Sequence, residues 1–150
     1  VDLDEFIKYP HIEEMDLKIH LHDSKKKIDR ETDIYLVNSF GQTQSFFKTC
    51  KTVFLGGSII KHGGQNPLEA AKFGCQILHG PNTWNFKEIY NLLQAHKVSY
   101  KITTSNQLTH KVDQILNSNK NSKNLKLKIK ALGSKILNST LNEINFYMNK

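Results

Sequence analysis

Glu69 and Asn66 stand three residues apart, directly behind two glycine pairs, Gly56-Gly57 and Gly63-Gly64. These are the residues whose types and spacing could do chemistry. A carboxylate and an amide can accept from sugar hydroxyls, and glycine-rich loops leave backbone N–H groups free to face an anion. The surrounding stretch, Val53 to Phe86, reads VFLGGSIIKHGGQNPLEAAKFGCQILHGPNTWNF. Its apolar run Val53–Leu55 followed by Gly56-Gly57-Ser58 has the form of a buried strand entering a tight loop. Asn66-Pro67-Leu68-Glu69 is a helix start, with Asn66 suited to the N-cap, Pro67 to the first helical position and Glu69 to the third. Gly74 suits a left-handed C-cap, and a second apolar run, Ile77-Leu78, leads to Gly80-Pro81. Loops, glycines and helix dipole together predict a phosphate and ribose site.

The elements that must position this stretch alternate. Leu3, Phe6 and Ile7 have helical spacing that Pro10 should stop. Leu17, Ile19 and Leu21 alternate with Lys18, His20 and His22 as a half-buried strand, and Asp33–Val37 is the next strand. Ser39-Phe40-Gly41-Gln42 has the Ser-x-x-Gln form of a capping box, with Phe46 and Phe47 set to pack that helix on a sheet. Asn85-Phe86-Lys87-Glu88 opens a helix the same way, with Ile89, Leu92, Leu93 and His96 on one face. Val98–Ile102 is the last strand, and Thr104–Gln107 caps a helix carrying Leu108, Val112, Ile115 and Leu116. Asn117–Asn124 is apolar-free and reads as a loop, and a long amphipathic helix follows from Leu125. The alternation predicts an α/β fold, a Rossmann-like, mostly parallel sheet with helices on both faces. Ligands of such sheets sit beyond the carboxyl ends of the strands, where the loops after Val37, Leu55 and Leu78 should converge.

The chain has 150 residues and a formal charge of +7, nearly all from lysine. An anionic partner fits that charge, and so does mere compositional bias. Cys50 and Cys75 have no metal-type spacing, and no disulfide framework is expected. His20 and His22 share a strand face as paired ligands would, but a solvated face is the expected reading without a third ligand at metal-like spacing. Trp84 is expected to plug the sheet edge. Lys123–Lys130 reads as a solvated helix face. There is no apolar run long enough to span a membrane and no signal-peptide pattern. The chain opens at Val1, not methionine, within an apparent helix, and a fragment of a longer protein is expected.

Three blocks now matter together: Gly56-Gly57-Ser58, then Gly63-Gly64-Gln65-Asn66-Pro67-Leu68-Glu69, then Gly80-Pro81 through Asn85-Phe86. In this order and spacing they resemble the C-terminal domain of the Kdo transferases, which move 3-deoxy-D-manno-octulosonic acid (Kdo) from CMP-Kdo to a lipid A precursor. The family's upstream block, Gly-Asp-Thr-x-Gly-Glu, aligns without gaps with Val37–Gln42. The likeness covers residues 33–90; Gln65 stands where the family has His, Ala70 where it has Pro, and Gln42 where it has Glu. The resemblance implies the C-terminal half of a GT-B glycosyltransferase. Residues 1–124 would form the donor-binding domain, truncated at its N-terminus, and 125–150 a helix bracing an absent N-terminal domain. It also implies CMP-Kdo as donor, a lipid A precursor as acceptor, and no metal or other cofactor. The catalytic base and the membrane anchor would belong to the absent half, so no catalytic residue is expected here. The full-length protein would sit at the cytoplasmic face of the bacterial inner membrane, this fragment being soluble.

Donor roles follow from the same resemblance. Ser39 and Gly41 would meet the base through the backbone. Gly57, Ser58, Gly63 and Gly64 would approach the phosphate by backbone, with His62 and Lys61 adding positive charge. Asn66 would contact phosphate and sugar, and Glu69 would accept from both ribose hydroxyls. Each has a plainer reading beside it: helix caps for Ser39, Asn66 and Glu69, turn chemistry for the glycines, an exposed loop position for Lys61. Two other functions stay open, a GT-B transferase or epimerase using a UDP-sugar, and a basic nucleic-acid-binding module. The second lacks the interleaved basic and aromatic pattern of common RNA modules, so no nucleic-acid partner is expected.

Overall fold

A computed structural model describes residues 15–22, 25–118 and 122–148. The helix expected around Leu3, Phe6 and Ile7 lies outside the described residues. The chain divides into two compact units, Val1–Thr43 and Gln44–Lys150. In the first, β1 (Ile19–Leu21) and β2 (Ile34–Leu36) pair in parallel, with His20 opposite Tyr35. His20 stacks on the Tyr35 ring at 5.5 Å between centroids, and His22 Nδ1 meets the Tyr35 hydroxyl at 2.5 Å. The expected solvated histidine face is therefore a half-buried aromatic cluster. An aromatic cross-strand partner, invisible from the spacing of the histidines, removes them from water.

The helix expected from Ser39 starts later, as α1 (Thr43–Thr49). Gly41 adopts φ of +88°, a left-handed conformation that no α-helix continues through, so the Ser39–Gln42 capping box does not form. Phe47 does pack α1 into the core, as its position predicted.

The second unit is a three-stranded parallel sheet in the order β3-β4-β5, comprising β3 (Thr52–Leu55), β4 (Gln76–His79) and β5 (Ser99–Lys101). All four residues of β4 are buried, as a central strand requires. Strand alternation splits its neighbours into two clusters. Ile77 packs with Leu55 of β3 and with Phe47, Ala70, Ala71, Tyr90 and Leu93, which α1, α2 (Leu68–Phe73) and α3 (Lys87–Ala95) bring to one face. Leu78 packs with Ile102 and Ile115 on the other, where α4 (Ser105–Leu116) lies. Helices thus cover both faces, as the alternation predicted.

Local signals account for most boundaries. Gly74 ends α2 at φ 83°, its N–H reaching the carbonyls of Ala70 and Ala71. Thr104 caps α4, its hydroxyl accepting from Gln107 N at 3.2 Å. Asn85 does not cap α3: a 3-10 turn at Trp84–Phe86 runs directly into it with no side-chain cap. Leu116, expected on the packed face of α4, is exposed. α5 (Ser122–Met148) packs against α2, with Leu125 and Ile129 touching the core. From Gly133 to Met148 every α5 residue is exposed. No helix among the described residues is long and apolar enough to cross a membrane.

Candidate functional site

Two loops leave the carboxyl ends of β3 and β4 and interlock. Ser58, wholly buried, ties them at the root: its hydroxyl donates to Leu55 O at 2.7 Å and accepts from Gly80 N at 2.8 Å. Its carbonyl accepts from Asn82 N at 2.9 Å. The chains pass so close that a Cβ on Gly80 would lie 2.3 Å from Ser58 O. Further out, Asn85 N donates to Gly63 O at 3.4 Å, and a Cβ on Gly63, which has φ of +91°, would sit 2.2 Å from Asn85 Nδ2. The glycines are thus demanded by loop-on-loop contact before any ligand is considered.

Beneath the loops lies a buried polar cluster that sequence reasoning missed. His79, at the end of β4, is buried, with Nδ1 2.7 Å from Gly80 O and Nε2 2.9 Å from Gln94 Nε2. Burial, opposed by the Gly80 hydrogen bond and reinforced by Lys101, holds the His79 pKa below its ordinary 6.5. The ring is therefore neutral: Nδ1–H donates to Gly80 and Nε2 accepts from the Gln94 amide. Tyr90 stacks on it at 4.3 Å between centroids and donates through its hydroxyl to Gln65 O at 2.9 Å. Burial pushes the Tyr90 phenol up to about 12. The only sequence signal for this cluster is a histidine closing an apolar strand just before Gly80-Pro81.

The expected site residues fall into distinct positions. Asn66 caps α2, its Oδ1 accepting from Leu68 N at 3.0 Å. Glu69 does not take part in that cap. It is exposed in the first turn of α2, and its carboxylate has no hydrogen bond or ion pair with any described residue. Gly64 N–H is used internally, donating to Gly57 O at 3.0 Å, and the Ser58 side chain is fully engaged. The N–H groups of Gly57 and Gly63 donate to no described residue. His62 is exposed beside Gly57, its Cδ2 3.7 Å from where a Gly57 Cβ would be. Lys61 is exposed. Trp84, expected to plug the sheet edge, is instead 54% exposed, with its Nε1 near Gly63; the packing of Asn85 against Gly63 leaves the indole outside. Because α2 has only six residues, the helix dipole expected behind the site is short. Ser39 and Gly41 lie in the first unit, where Ser39 and Gln42 join His20, His22 and Lys26 around a hollow of about 690 Å³.

No protein-family model matches the chain. Curated relatives do. The 3-deoxy-D-manno-octulosonic acid transferase of Haemophilus influenzae is 34% identical over 91 residues, which is 60% of this chain and 21% of the relative. That of Rickettsia bellii is 35% identical over 94 residues, 63% of this chain and 22% of the relative. The chain resembles the Kdo transferases. It spans about a fifth of the length of these relatives. A crystal structure of the C-terminal CMP-Kdo binding domain of WaaA from Acinetobacter baumannii superposes with a TM-score of 0.70 at 21% identity, covering 79% of this chain and 62% of that one. At that identity the match speaks for the fold alone, an α/β domain with a parallel sheet. The expected Kdo-transferase resemblance and fold class are both borne out.

Proposed function

We propose that this chain is the CMP-Kdo-binding part of a Kdo transferase, acting with a further domain on a lipid A precursor at the cytoplasmic face of the inner membrane. The observation that carries the reading is the unpartnered Glu69 carboxylate. Asn66 alone caps α2, which leaves Glu69 free in the first helical turn as an acceptor for the two ribose hydroxyls. The undonated N–H groups of Gly57 and Gly63, with His62 beside them, supply hydrogen bonds to the CMP phosphate. Ser58 serves by holding the two loops together, and Gly64 by closing its own loop on Gly57.

In the transfer itself a sugar hydroxyl of the acceptor attacks the Kdo anomeric carbon as the bond to the CMP phosphate breaks. A carboxylate outside this chain takes the hydroxyl proton, and the residues above stabilise the departing phosphate. The reading includes no metal, so chelation with EDTA should leave CMP binding unchanged.

The test is an NMR titration with CMP of the protein and of Glu69→Gln. Shifts at Gly57, Gly63 and Asn66 should saturate with CMP more readily than with UMP. Glu69→Gln should weaken CMP binding by about tenfold, through loss of a charged acceptor. Equal affinity of the two proteins would remove Glu69 from the ribose. A preference for UMP or UDP would point to a UDP-sugar enzyme.

A further inference from the structure

A groove of about 700 Å³ runs between β5 and α4. Two lysines and a histidine line it: Lys101 from the strand, and His110 and Lys111 from the helix. Gln94, Asn106 and Gln114 add amide groups, and no Asp or Glu is among the lining residues. Asn106, His110 and Gln114 recur every four residues, so one face of α4 presents them in a row. Lys111 is held in place, its Nζ 3.9 Å from the Tyr100 ring centroid and donating to Gln114 Oε1 at 2.8 Å. Lys101 is anchored by β5, which pairs in register with the fully buried β4.

We propose that this groove is a second ligand site, one that takes a phosphate monoester. A dianionic phosphate needs several positive charges and several donors around its terminal oxygens. The two lysines supply the first, and the amides and the His110 ring N–H the second. With no carboxylate in the lining, the groove offers the two lysine charges no internal counter-charge, and a bound anion supplies it. The volume suits a small phosphorylated molecule or a phospholipid headgroup, which share this chemistry. The proposal goes beyond donor binding and does not depend on it, since none of these residues is among those assigned to CMP-Kdo. Gln94 also links the groove to His79, so occupancy should register at that buried ring.

Titration with inorganic phosphate, followed by amide and imidazole NMR, tests it. Saturable shifts are expected at Lys101, Asn106 and His110, with a smaller one at His79. Lys101→Gln/Lys111→Gln should weaken phosphate binding by about tenfold or more. Lys48→Gln/Lys51→Gln, which removes the same charge from the end of α1 and the residue before β3, should leave it unchanged. Should the first double variant misfold, Lys101→Gln alone serves, with a smaller loss. Cosedimentation with phosphatidylcholine vesicles that requires added phosphatidic acid and both groove lysines would assign a lipid headgroup. Phosphate shifts without cosedimentation would assign a soluble ligand. Absence of saturable shifts at the groove, or phosphate binding by the Lys101 and Lys111 variants equal to that of the parent protein, would overturn the site. Either result would leave the Glu69 test with CMP untouched, because that test reads different residues.

Discussion

Two buried side chains, Ser58 and His79, hold the loops that the candidate site uses, and each makes a prediction. Ser58→Ala leaves the Gly80 N–H without its acceptor in a wholly buried place. The expected loss is about 1–3 kcal/mol of unfolding free energy, measured by urea denaturation. His79 is held neutral, its pKa below the ordinary 6.5, so the unfolded chain binds a proton more readily than the folded one. Its contribution is fully present above pH 6.5 and declines as pH falls through 6.5 toward the lowered folded value. Both forms are protonated below that value, and no further loss occurs. The stability gap between the parent and His79→Gln should therefore narrow between pH 7.5 and pH 5, by at most about 1.4 kcal/mol per unit. A gap that stays constant would mean that the imidazole does not titrate differently on folding. Neither role could be read from the sequence. A serine in Gly-Gly-Ser looks like a ligand contact until its hydroxyl is found between Leu55 and Gly80.

At the scale of the elements, glycine separates loop geometry from helix propensity. Gly63→Ala would place a methyl 2.2 Å from Asn85 Nδ2, on a backbone at φ +91°. It should destabilise the chain and weaken CMP binding together. Gly133, inside α5, has nothing within 4 Å of where a Cβ would be. Gly133→Ala should stabilise α5 by roughly 0.5–1 kcal/mol, seen as a higher midpoint in thermal circular dichroism. Opposite signs for the same chemical change would confirm that the first glycine is set by contact and the second by nothing local. Helix ends were legible where a single residue decides them, as with Gly74 and Thr104. They were misread at Ser39 and Asn85, because a capping motif cannot overrule a left-handed Gly41 or a 3-10 turn already in place.

In the second unit as a whole, order should fall away along α5. Its first turns bury Leu125 and Ile129 against the α2 side of the core, and every residue from Gly133 to Met148 is exposed. Hydrogen exchange should be slow at Leu55 and Ile77, intermediate near Ile129, and fast from Ile136 to Met148. Protection at Leu141 equal to that at Leu55 would show that the exposed half is covered in solution. Packing ends before Gly133 because α2, the element that α5 packs against, is only six residues long.

By itself the sequence determined the alternation of strands and helices, the parallel sheet, and the resemblance to the Kdo transferases. All of these follow from periodicity and from residues that act on their immediate neighbours, or from a motif of fixed spacing. Only the tertiary structure decided which motif residues are available. Glu69 proved free and Ser58 engaged, Gly64 spent its N–H on Gly57 while Gly63 did not, and His79, Tyr90 and Gln94 met beneath the loops. The physical reason is that hydrogen-bond satisfaction is a property of partners brought together from distant parts of the chain. A serine and a glycine N–H twenty-two residues apart pair only once β3 and β4 lie side by side.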